Sequence, residues 1–316
     1  MLTLPILDEI QTAANRLRNI TIHTPLIRYN PLDEIYLKPE ILQPVKSFKL
    51  RGVFNAVANL SQDQREKGLT TISSGNTALA LGWTAQYFGV HAKTYVPDTT
   101  PTSKIEAINS YGMEVVILPR DGLMNFFHDK GWEKDSAIFI HPWHNRDLQA
   151  GHGTIGLEII ADLPEVKTVY IPVGGGGLIS GVGNALKLLN PDIRVVGVES
   201  EVCASLYASF KAGKGIEIPP GDSICDGSAV PIITDEMYPL LRQVVDDSVI
   251  VSEKSVKKTM KDLILRHKLI VEGSGALATT AAIQESNDIQ GKSVCLITGG
   301  TIDTEKLMAI LSDPSL

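Results

Sequence analysis

Short runs of β-branched and aliphatic residues alternate along this chain with longer amphipathic segments, the arrangement expected of parallel strands covered by helices. Three such units occupy the middle of the sequence: Thr70 to Ser73 with a helix after Gly75, Ala92 to Pro97 with a helix after Thr102, and Glu114 to Leu118 with a helix after Gly122. Ala137 to Ile140 follows, and His141-Pro142 then reads as a crossover. Later strand-like runs at Val169 to Val173, Val195 to Val198 and Ser293 to Ile297, with helical segments between them, belong to a second sheet. The pattern predicts an α/β fold with no internal repeat and no low-complexity linker.

Three turn-like junctions carry candidate chemistry. The first, Lys46-Ser47-Phe48-Lys49-Leu50-Arg51-Gly52, sets a lysine between an aromatic residue and an Arg-Gly turn, away from any lysine-rich run. The second is Ser73-Ser74-Gly75-Asn76-Thr77. The third, Pro172-Val173-Gly174-Gly175-Gly176-Gly177-Leu178, joins a buried strand to the helix predicted from Leu178 to Leu189. Four consecutive glycines remove every Cβ from the turn, so successive N–H groups can close on an anion while the next helix points its positive end at it. A dinucleotide is the competing ligand, because Glu199 closes the strand-like run from Arg194 and could hold a ribose hydroxyl. Counted from Gly175, however, the dinucleotide spacing requires Gly or Ala at Ser180. A single phosphate on a compact cofactor fits better.

The chain has 316 residues, 43% of them hydrophobic, enough for a large core in one or two domains. A net charge of −7 without a basic cluster disfavours nucleic acid or an anionic membrane as principal partner. Cys203, Cys225 and Cys295 form no CxxC pair, which supports neither a disulfide framework nor a zinc knuckle and suits a reducing cytoplasm. The amino terminus shows no targeting segment and the chain no spanning one.

Taken together, the motifs resemble the fold-type II pyridoxal-phosphate enzymes, the serine/threonine dehydratase and serine racemase group, across nearly the whole length. Ser47-Phe48-Lys49-Leu50-Arg51-Gly52 is similar to the dehydratase form of the lysine motif, and Ala150-Gly151-His152-Gly153-Thr154, Asp226-Gly227, Glu272-Gly273-Ser274-Gly275-Ala276 and Thr298-Gly299-Gly300 also match. The resemblance implies two parallel-sheet, helix-covered domains: residues 1–67 and 145–316 as a large cofactor-binding domain, and 68–144 as a small mobile one. It implies an ammonia-lyase that β-eliminates a small β-hydroxy amino acid, L-threonine or L-serine first, to a 2-oxo acid and ammonia, working as a cytoplasmic homodimer. The carboxyl-terminal regulatory domain of biosynthetic threonine dehydratases is not expected.

By the same resemblance Lys49 condenses with pyridoxal 5'-phosphate as an imine and, once displaced by substrate, removes the α-proton. An ordinary lysine, with a pKa near ~10.4, is a poor base at neutrality, so the site must depress it by desolvation or nearby positive charge. Phe48 would wall the ring. Ser74 resembles the serine on the opposite face of the substrate carbon in racemases, although serine also favours turns for local bonding. Ser73, Ser74, Gly75, Asn76 and Thr77 would bind the substrate carboxylate, and Asn76 would also reach the cofactor's phenolic oxygen. Gly174, Gly175, Gly176 and Gly177 would hold the phosphate. Thr298 would place a neutral hydroxyl beside the pyridine nitrogen, which limits carbanion lifetime and favours elimination.

Several positions depart from the family pattern. Thr77 stands where histidine is common, His152 where glutamine is, and Thr298 where serine is; loss of the imidazole at 77 opens the alternatives of hydroxyaspartate or an aryl-serine as substrate. His152 reads as a structural histidine. The family's divalent-cation site is incomplete: Glu199 matches its first carboxylate and Cys203 could offer a carbonyl, but Ser205 stands where aspartate is expected. A monovalent ion held by carbonyls is an open alternative. His128, Trp132, His141, Trp143 and His144 read as loop and helix surface, and Lys254, Lys257, Lys258 and Lys261 as a solvated helix face. An amino-acid racemase on the same scaffold, a non-catalytic pyridoxal-phosphate binder and, least favoured, a nicotinamide dehydrogenase are the alternatives.

Overall fold

The structure is a computed structural model describing residues 2–30, 34–286 and 291–316. Among the described residues ten strands form two sheets: β1 (Ile27–Arg28), β2 (Ile35–Pro39), β3 (Leu69–Ile72), β4 (Ala92–Pro97), β5 (Glu114–Leu118), β6 (Ile138–Phe139), β7 (Thr168–Pro172), β8 (Arg194–Ser200), β9 (Asp247–Val251) and β10 (Ser293–Ile297). The larger sheet runs β1-β2-β10-β7-β8-β9 and the smaller β5-β4-β3-β6. Every pairing is parallel except β1 with β2. β7 and β10 are buried along their whole length because helices cover both faces of the larger sheet, so both read as unbroken apolar runs. β4 instead alternates buried and half-buried positions.

Two separate apolar clusters, one on each side of the larger sheet, and a third that joins residues 50–57 and Leu148 to the smaller sheet and its helices make up most of the core. β4, β5 and β10 match the sequence expectation residue for residue. β2 and β9 had no sequence signal of their own: β2 contains Lys38, which is fully buried, and β9 opens on exposed Asp247 and is mostly half-buried.

Sites in such sheets form beyond the carboxyl ends of the strands, where the serine and glycine junctions and the Thr298 motif lie. β3 leads into Ser73 and the helix Asn76–Phe88, β7 into the glycines and the helix Gly177–Leu189, and β10 into Thr298. The lysine segment is tied to the last of these by a bridge between Ser47 and Gly299 and by bonds from the Phe48 N–H to the Thr298 carbonyl (3.1 Å) and from the Gly300 N–H to the Lys46 carbonyl (3.0 Å).

The helix Lys49–Ala58 that begins there is anchored from beneath. The Arg51 guanidinium donates to both oxygens of Glu40 (2.7 and 2.9 Å), both of Glu158 (2.6 and 3.0 Å) and the Ile22 carbonyl (2.9 Å). Lys38 pairs with Glu158 at 2.7 Å and donates to the Thr24 carbonyl. Burial works to raise the Glu40 carboxyl, but Arg51 overrides it and holds that carboxyl below its ordinary range.

Candidate functional site

A cleft of about 540 Å³ opens between the two sheets, and Lys49 lines it. Lys49 is the first residue of its helix, where the macrodipole adds positive potential. Its Nζ lies 3.5 Å from the Pro142 carbonyl oxygen and 5.1 Å from the centre of the Phe48 ring. Burial pushes the ammonium down to about 8, while the Glu272 carboxylate draws it upward. This is the depressed amine the sequence called for, reached through desolvation.

The other junctions line the same cleft. Ser73, Ser74, Gly75, Asn76 and Thr77 form one wall, and Gly174 to Gly177 another, with Phe48 and Thr298 between. Ser73 Oγ accepts the Gly75 N–H at 3.2 Å, shaping the turn that opens the helix Asn76–Phe88. Asn76 Nδ2 donates to Glu272 Oε1 at 2.8 Å, which leaves its second amide proton for a ligand; its Oδ1 is buried without a partner. Thr298 Oγ1 donates to the Ser274 carbonyl at 3.2 Å, a long bond that rotation of the hydroxyl can exchange for another acceptor.

The glycines are dictated by space as well as conformation. Gly176 has φ +90°, the left-handed region. A Cβ at Gly177 would fall 2.7 Å from Trp143 Cα, and one at Gly175 would run into the Trp143 indole. One at Gly174 would stand 3.2 Å from Val230 Cγ2. Bare main chain is therefore packed tightly from behind while its front faces the cleft.

Two residues that sequence reasoning passed over belong to this site. Glu272 was noted only as part of a motif; it is 5% exposed, and burial first, then Asp226, pushes its acid up to about 8. Trp143 was assigned to the surface with its neighbours, and here the structure corrects the expectation. Phe127, Trp132, Phe139, His141 and Trp143 pack as one group of rings, His141 and Trp143 at 4.9 Å between centroids. Burial, then His144, pushes the His141 imidazolium down to about 3. The usable signal was position: Trp143 follows the His141-Pro142 crossover directly, at the edge of the cleft.

His152 is fully buried, with Nδ1 3.3 Å from the Gly177 carbonyl oxygen and its ring edge-on to Phe48 at 4.9 Å. Burial and Lys49 push it down to about 3, so it stands neutral and packs, in line with the structural reading. Glu199 lies away from the cleft: its two oxygens accept the N–H groups of Leu206 (2.8 Å) and Tyr207 (2.9 Å), at the start of the helix Ser205–Ala212. Those bonds work against the burial that pushes its acid up to about 7. Among the described residues no group of three or more His, Cys, Asp or Glu side chains could hold a metal ion.

A family model described as pyridoxal-phosphate dependent enzyme matches residues 17–300. An L-threonine ammonia-lyase of Thermotoga maritima is 37% identical, covering 97% of this chain and 78% of its own. A catabolic L-threonine dehydratase of Staphylococcus aureus is 34% identical over 96% of this chain and 91% of its own. Among solved structures, maize serine racemase superposes with a TM-score of 0.89 at 30% identity, covering 97% of both chains. Threonine deaminase isoform 2 of Solanum lycopersicum gives 0.89 at 31%, covering 100% of this chain and 96% of that one.

Proposed function

The chain belongs to the pyridoxal-phosphate dependent enzymes, and on that premise we propose that it is an ammonia-lyase, converting a β-hydroxy amino acid of the threonine and serine type to a 2-oxo acid and ammonia. The observation that carries this reading is Lys49 itself: a half-buried amine, depressed to about 8 by its surroundings, in the same cleft as a glycine loop and a serine-asparagine turn.

The cleft fits the cofactor. The N–H groups of Gly174 to Gly177 and the positive end of the helix Gly177–Leu189 would hold its phosphate. Thr298 would meet its ring nitrogen with a neutral hydroxyl, Phe48 would lie beside the ring, and the remaining Asn76 amide proton would meet its phenolic oxygen. When bound, pyridoxal phosphate supplies an aldehyde for the substrate amine and a ring that withdraws electrons from the α-carbon. Ser73, Ser74, Gly75, Asn76 and Thr77 would orient the substrate carboxylate, aided by the dipole of the helix they begin. Lys49 is the base for the α-proton, and a pKa near 8 places it close to working pH. Ser74 shares the cleft with Lys49, which keeps a racemase as the second reading.

We take residues 68–144 as the smaller, moving domain and 1–67 with 145–316 as the cofactor-binding one. A cytoplasmic homodimer is the proposed working form; three buried free thiols suit a reducing compartment. Glu199 is at most a weak cation ligand, since both its oxygens already accept main-chain N–H groups.

Borohydride reduction of the holoenzyme followed by peptide mapping should find the cofactor on Lys49, and Lys49→Ala should abolish both that adduct and keto-acid formation. Turnover retained by Lys49→Ala would show that another amine is used. Following chirality beside keto acid separates lyase from racemase.

A further inference from the structure

Besides the carboxylate turn, the lysine and the glycines, the cleft is lined by a set of apolar and aromatic side chains, with Ser103, Lys104, Asp226, Thr301 and Asp303 among the polar ones. Tyr95, Leu123 and Phe127 line it from the smaller sheet and its helices, Val230 and Ile232 from the larger unit, and Trp143 lies against Gly175 and Gly177 of the glycine turn. All six are only half-buried, so apolar surface remains there to be covered. The rings are fixed from behind: Phe127 lies 5.5 Å from Trp143 and 5.9 Å from both Trp132 and His141.

Of the charged side chains lining the cleft, Lys104 and Asp226 pair with one another, while the Lys49 amine meets the Pro142 carbonyl and is the group reserved for the cofactor. Among the described residues its cations are Lys49 and Lys104, and Lys104 Nζ is held 2.7 Å from Asp226. Asp303 accepts the Glu305 N–H at 2.9 Å and caps the helix Thr304–Ser312, and Glu272 accepts from Asn76. A substrate side chain bearing a carboxylate would enter acid-rich walls without a free cation, and desolvating an unpaired charge is costly. Thr77, 4% exposed, offers no charge either. A methyl group would leave the aromatic walls wet.

Resting on the lyase reading above, we infer that the β-substituent of the substrate is bulky, uncharged and apolar, an aryl group in the first instance, so that 3-phenylserine is a better substrate than threonine or hydroxyaspartate. The step balances without any oxidant. The Cα–H and Cβ–O bonds break and water leaves; the resulting enamine tautomerises to an imine, one water adds back and ammonia departs, giving phenylpyruvate.

The test is kcat/KM of the holoenzyme on threo-3-phenylserine, L-threonine and threo-3-hydroxyaspartate, read as keto acid. Phenylserine should exceed both by at least ~10-fold, the lower end of what one apolar contact contributes to discrimination. Phe127→Ala should lower the phenylserine-to-threonine ratio by ~10-fold. Because Phe127 also supports other rings, Ile232→Ala in the larger unit should lower the same ratio. Preference for threonine or hydroxyaspartate, or a ratio unmoved in both variants, overturns the inference while leaving the lyase reading intact. Absence of keto acid from all three, in protein whose cofactor is reducible onto Lys49, overturns the lyase reading and this inference with it.

Discussion

Burial makes the Lys49 amine available, and a neighbouring acid opposes that effect. Burial lowers the Lys49 ammonium to about 8, and burial together with Asp226 raises Glu272 to about 8. Glu272 thus gains its negative charge over the range in which Lys49 loses its positive one, and each charged form favours the other. Glu272→Gln keeps an acceptor for Asn76 but removes the charge that holds the proton on Lys49. Uptake of cofactor requires the free amine, so its rate should rise with pH to a midpoint near 8 in the wild-type apoprotein and to a lower midpoint in Glu272→Gln. Stopped-flow absorbance across that pH range measures both; a midpoint unmoved or raised would show that Glu272 does not act on Lys49.

A single helix places that amine, and its anchor lies two residues further on. Arg51 is 1% exposed and Glu40 0%, and the guanidinium forks onto Glu40 and Glu158 together. Removing one partner from such an arrangement leaves a buried charge uncompensated, so Arg51→Met should cost about 3–5 kcal/mol of stability, measured by denaturant unfolding of the apoprotein. A loss below about 1 kcal/mol would mean that water reaches Glu40 in the variant and screens it as at a surface. This helix also shows what the sequence could and could not reveal. The role of Lys49 was legible only in company: the Ser73–Thr77 turn and the glycine run lent it a chemical context, and the resemblance those motifs carry supplied the role. The anchor was not, because Glu40 and Lys38 look like surface charges until distant chain segments bury them. β4, β5 and β10 were legible as apolar runs, whereas β2 hides a buried lysine and β9 opens on the polar pair Asp247 and Ser248. Trp143 and Glu272 acquire their roles only from neighbours far away in sequence, the glycine loop and Asn76.

Across the whole molecule, the cleft has one wall from each sheet, and side chains join them. Asn76 reaches Glu272 inside the cleft, and Lys104 of the helix Thr102–Asn109 reaches Asp226 nearer its mouth, with side-chain exposures of 29% and 42%. A pair that exposed adds about 1 kcal/mol or less to folding. It can nonetheless bias the spacing between the walls, because a charge pair across a gap acts on the closed state alone. Closure is what would bring the carboxylate turn over Lys49, so weakening the pair should appear in substrate binding. Lys104→Met should leave the unfolding midpoint essentially unchanged and raise KM for the amino acid by up to ~5-fold, the equivalent of about 1 kcal/mol. Added salt screens a pair of this exposure; it should therefore raise KM in the wild type and have little further effect in the variant. Identical KM values with identical salt responses would show that the pair bridges the cleft without holding it.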